Sequence, residues 1–171
     1  MCEAELWALE AKRMYARGNH DKAFELLRQS AEALPGRPRV ELDTAELARR
    51  LGHVDLAVHH YRRASVAYAK SGFARHAATP LRTALHLEHA RLPGSADAVA
   101  VIARELADAL VLQGFTADAR LVVEQTLALF AERGLPVPEA LSDVVPRARS
   151  ERVRIAAEDE PTAIVRLTRR G

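Results

Sequence analysis

Apolar positions recur at helical spacing along most of this chain and are broken by single glycines. Between Glu5 and Pro35, Trp7 and Met14 mark one run, Ala23 and Leu27 mark the next, and Gly18-Asn19 separates them. This pattern predicts a helix from about Ala4 to Arg17, turned by Asn19 to Asp21 into a second. Leu34-Pro35-Gly36-Arg37-Pro38 ends that second helix, because neither proline can donate a backbone hydrogen bond. Pro38 suits the first position of a third helix, which carries Leu47, Ala48 and Leu51 inward and closes at Gly52-His53. Asp55 then falls in the first turn of a long helix running from about Val54 to Ser71, where a carboxylate offsets the positive end of the dipole.

Beyond Gly72, Pro80 leaves two readings: a helix kinked at the proline, or a restart with Thr79 as N-cap. The phase of Ala77 and Leu81 favours the kinked continuous helix. Arg91 to Ser95 forms a loop, with Ser95 placed to cap the next helix. Val99, Ile102, Ala103, Leu106 and Leu110 share one face of that helix; Ala119, Val123, Thr126, Leu127 and Phe130 share a face of its partner, and Gly134 ends it.

A single hairpin cannot bury its own apolar face, so copies are expected in series. Gly52 follows Gly18 by 34 residues, and Ala57 follows Ala23 by the same 34. With Trp7, Ala11, Met14, Gly18, Ala23, Leu27 and Pro35, the first unit resembles the tetratricopeptide repeat, with Glu10 in place of the usual leucine. The second unit has Ala45, Ala48, Gly52, Ala57, Tyr61 and Ala64, with Glu41 and Thr44 where tryptophan and leucine are expected. A third begins early: Tyr61, Ala64, Tyr68, Gly72, Ala77 and Leu81 place Gly72 only 20 residues after Gly52, so the long helix serves two units. Ala103, Leu106, Ala107, Leu110, Gly114, Ala119 and Val123 form the last. The resemblance implies an all-α, right-handed solenoid of three to four helical hairpins over residues 1–134. A linker and capping helix over 135–157 would follow, opening at Pro138-Glu139 and covering the array with Leu141, Val144 and Val145. A flexible tail over 158–171 would complete the chain.

Composition narrows the function classes. Hydrophobic residues make up 49% and charged residues 28% of the 171, ordinary proportions for a soluble chain with a sizeable core. Cys2 is the single cysteine and cannot form an internal disulfide, and the apolar runs are too short to cross a bilayer, so the cytoplasm is the expected location. The net charge is only +2 despite a pI of about 9.0, so nucleic-acid binding through arginine-rich faces ranks as the third reading of function.

No catalytic constellation emerges. His86-Leu87-Glu88-His89 lacks the two-residue gap that an inverted zinc-protease motif needs, the adjacent His59 and His60 point apart, and no phosphate loop or nucleophile elbow is present. No enzyme activity, cofactor or metal is therefore expected. In tetratricopeptide arrays the first helix of each hairpin lines a concave groove. The resemblance thus places Lys12, Tyr15, Arg39, Leu42, Glu46, Arg49, Arg62, Arg104 and Asp108 on a partner-binding wall, whose arginines suit an acidic peptide or helix. The expected function is a non-enzymatic adaptor of the kind that serves bacterial signalling, motility or secretion complexes. A secretion-type chaperone for a client protein is the alternative. Asn19 is the sole asparagine and lies in a turn, so the asparagine–lysine clamp that this family uses on chaperone tails is not expected. In the tail, Thr162 with Val165 three residues on resembles the ligands of forkhead-associated domains and is a candidate phosphorylation site. Ile164, Val165 and Leu167 would alternatively pair with a partner's sheet edge.

Overall fold

The computed structural model describes residues 2–142. The expectations for residues 143–171, including most of the capping helix, Val144, Val145 and Thr162, fall outside them. Within them lie eight helices: α1 (Glu3–Ala16), α2 (His20–Ala33), α3 (Pro38–Arg50), α4 (Val54–Lys70), α5 (Ala78–His89), α6 (Ala96–Leu112), α7 (Thr116–Glu132) and the single turn α8 (Glu139–Ser142).

One glycine closure recurs along the chain, and at three of its sites it opens directly into the next α-helix. Gly18, Gly52 and Gly114 take φ of 78°, 82° and 82°, the left-handed region that glycine enters without steric cost. In each case the next residue's N–H bonds a carbonyl of the preceding helix: Asn19 to Met14 at 3.0 Å, His53 to Ala48 at 2.9 Å, Phe115 to Leu110 at 2.9 Å. The chain then reverses, and Ala23, Ala57 and Ala119 each bond back to the cap carbonyl of the new helix. All three alanines are buried. A methyl group there lets the second helix settle against the first, which is why the alanine keeps its distance of five residues from the glycine. Asn19 adds a side-chain cap, its Oδ1 accepting from the N–H of Lys22 at 3.3 Å.

These closures build the hairpins α1–α2, α3–α4 and α6–α7, and α2 packs on α3. Helix α4 packs on both α3 and α5, as α2 does on α1 and α3, and α5 packs on α6. Buried side chains from Ala11 to Leu141 form one continuous apolar cluster through all of them.

The kinked helix expected at Pro80 is not what forms. A short 3-10 turn at Ala74–His76 follows Gly72, and α5 begins at Ala78 with Pro80 as its third residue. The first N–H groups of a helix have no intrahelical partner, so proline costs nothing there, and a restart avoids the bond that a continuous helix would lose. Neither Thr79 nor a side chain caps this start; Ala77 stands at the cap position. Ser95 is another departure: it occupies the cap position of α6, but its hydroxyl donates to the Glu88 carbonyl at 2.8 Å, pinning the loop to α5. Helix α8 packs on α6 with Leu141 fully buried. No helix among the described residues is long and apolar enough to cross a membrane.

Candidate functional site

Between α1 and α3 lies an open cleft of about 240 Å³. Its floor is Ala11, Leu27 and Leu47; its rim is Lys12 and Tyr15 from α1 with Arg39, Asp43, Glu46 and Arg50 from α3. Stacking the two hairpins brings these helices side by side, and the small Ala11 leaves the opening. Lys12 Nζ lies 3.8 Å from Asp43, and Arg39 Nε lies 3.1 Å from the same carboxylate. Arg50 bonds the Tyr15 hydroxyl and sits 5.5 Å from the ring centroid, while His20 stacks on Tyr15 at 4.8 Å. The tyrosine ring is thus held in place yet more than a third exposed.

Glu46 is the best anchored rim residue. Its carboxylate accepts from the Tyr61 hydroxyl at 2.7 Å and from Arg49 at 2.9 Å. Burial pushes its pKa up, but those two bonds outweigh burial and the net direction is down. Tyr61 responds oppositely: burial first, and the Glu46 carboxylate second, drive its hydroxyl well above the usual value.

A second cleft, about 250 Å³, opens between α4 and α6. Val66, Ala69, Ala77, Leu81 and Leu112 line it, with Arg62, Glu105 and Asp108 at its edge. Arg62 grips Glu105 through both its Nε, at 2.9 Å, and Nη2, raising the arginine's pKa further.

The structure therefore divides the nine residues expected on one wall. Lys12, Tyr15, Arg39 and Glu46 share the first cleft; Arg62 and Asp108 share the second. Arg49 is exposed on α3 and tied to Glu46, Leu42 is half-buried against the core, and Arg104 donates to the Ala140 carbonyl of α8 at 3.1 Å. Arg39, Arg49, Arg62 and Arg104 each hold an acceptor within the chain, so they form no open comb of cations.

A buried polar cluster went unread. Glu41 is fully buried, with Oε2 2.8 Å from His60 Nδ1 and Oε1 2.7 Å from Arg63 Nη2. Nearby, Thr44 donates to the Val40 carbonyl at 2.7 Å. The signal was present: Glu41 and Thr44 are the two positions where the second unit departs from its apolar pattern, and a charge at a core position needs a buried partner. Among the described residues no group of three or more His, Cys, Asp or Glu side chains could hold a metal ion.

No family model and no curated protein matches the chain. Solved structures similar to it include the following three. The type III secretion translocator chaperone SycD of Yersinia enterocolitica aligns at 16% identity over 92% of this chain and 95% of that one, with a TM-score of 0.37. A thermophilic tetratricopeptide-repeat protein of Thermus thermophilus aligns at 20% over 90% and 97%, with a TM-score of 0.33. MamA aligns at 14% over 86% and 96%, also with 0.33. With scores this low, the repeat is read from the chain's own residues: the glycine closures, the alanines behind them and the shared core. In these residues the array resembles stacked tetratricopeptide hairpins. Each helix from α2 to α6 packs on both of its chain neighbours, and the α1–α3 surface lies apart from the α4–α6 surface.

Proposed function

We propose that the chain is a non-enzymatic adaptor that binds a segment of another protein in the cleft between α1 and α3. The observation that carries this reading is the combination at that cleft: an apolar floor, a rigidly held but exposed tyrosine, and a rim of three cations against two carboxylates. Such a surface offers apolar area for affinity and charge for orientation. The rim is net positive, which favours a segment bearing carboxylates together with one or two apolar anchors. Both hairpins hold the cleft, so a partner meets it already formed and the ordering cost falls on the partner alone.

The reading is tested by capture from native lysate with quantitative mass spectrometry, comparing wild type with Tyr15→Ala and with Lys12→Glu combined with Arg39→Glu. The expected result is a protein depleted in parallel by both variants. Retention of every captured protein by both would remove the cleft from consideration. A captured protein that becomes soluble only when co-expressed would define the role as that of a chaperone at the same surface.

A further inference from the structure

The α4–α6 cleft differs from the first in chemistry and in what stands beside it. Two large apolar side chains at its border are unusually open, Val66 at 52% and Leu112 at 82% exposure. Arg62 is neutralised by Glu105, while Asp108 is exposed with no ion-pair partner among the described residues, so the edge carries a residual negative charge. Water-exposed leucine and valine beside an unpaired carboxylate suit an occupant that is apolar and basic at once.

We propose that residues 162–170 of the same chain dock in this cleft. The first reason is where the chain leaves the described residues. Helix α8 lies on α6, fixed by Arg104 donating to the Ala140 carbonyl. Arg104, Asp108 and Leu112 follow one another at four-residue intervals along α6, so Arg104, which reaches Ala140, lies roughly 12 Å along the helix from Leu112 at the far end of the cleft. About 19 residues separate Ser142 from Thr162, and extended chain of that length reaches up to roughly 60 Å. The tether easily spans the gap and holds the segment at a high local concentration.

The second reason is complementarity. Ile164, Val165 and Leu167 match the open Val66 and Leu112, and Arg166, Arg169 and Arg170 answer Asp108. The first cleft rejects the same segment, since its rim is already net positive. The consequence is a surface covered by the chain itself until a competing basic, apolar segment displaces the tail.

The test uses the full chain with Cys2→Ser, a spin label at Thr168→Cys and methyl-labelled Val and Leu. Docking predicts selective loss of the Val66, Leu81 and Leu112 signals, with Leu6 and Leu9 of α1 retained. Adding Ile164→Glu and Leu167→Glu restores the lost signals. Uniform loss, no loss, or loss that survives those two substitutions overturns the proposal. So does equal loss in a mixture where label and methyl groups are on different molecules, which assigns the cleft to the tail of a second copy.

Discussion

Glu41 of α3 and His60 of α4 meet at 2.8 Å inside a hairpin whose two helices exclude water from both side chains. Arg63, three residues on from His60, reaches the second carboxylate oxygen and also the Ala31 carbonyl of α2, so three helices converge on one buried charge. Removing the carboxylate strands two polar partners in the interior. Glu41→Ala should therefore cost roughly 3 kcal/mol or more, far beyond the cost of an exposed pair such as Arg13–Glu10. Denaturant titration of the two variants checks the contrast; equal small effects would show that the cluster contributes nothing.

His89 supplies a pH dependence. Its Nε2 is buried without a hydrogen-bond partner, and burial first, then the charge of His86, hold its pKa below 6.5. The unfolded chain takes up this proton at higher pH than the folded one, so acidification favours unfolding. Stability present above pH 6.5 should decline as pH falls below it toward the folded pKa. His59, lowered for the same first reason, contributes in the same direction. His89→Phe should reduce this decline in denaturant titrations across that range, and an unchanged slope would exclude His89 as its source.

Ala57 and Ala119 occupy equivalent positions behind Gly52 and Gly114, both buried against the preceding helix. Leucine at either site has no room and should cost about 1–3 kcal/mol by forcing the hairpin apart. The same change at the exposed Ala16 should alter stability by less than about 0.5 kcal/mol. Thermal unfolding of the three variants reads the difference directly.

Pro80 offers a test by sign. At the third position of α5 its ring is buried and its missing N–H is harmless, so Pro80→Ala should destabilise by about 1 kcal/mol through lost packing. In the interior of a continuous helix the same change would stabilise by about 3 kcal/mol.

Much of this architecture can be read before any coordinates, because its determinants are local. A glycine followed five residues later by alanine reports a turn and a close approach in a single stretch of sequence, as Gly52 and Ala57 do. Pro80 misled because Ala77 and Leu81 keep helical phase through a 3-10 turn as well as through a kink. The groove divided for a different reason. Whether Arg62 faces a ligand or Glu105, 43 residues away, depends on how α4 lies against α6, and periodicity carries no such information. Glu41 was visible as a break in the pattern, but its partners His60 and Arg63 only become neighbours when α3 and α4 pair.

The most direct measurement of the central claim is photocrosslinking in cells, with a benzophenone side chain replacing Tyr15 at the α1–α3 cleft and, in a separate variant, Leu121 on α7. A defined partner crosslinked through position 15, absent at position 121 and lost when Lys12 and Arg39 are reversed in charge, is the predicted result. Crosslinks from position 121 alone, or from position 15 regardless of that reversal, would contradict it.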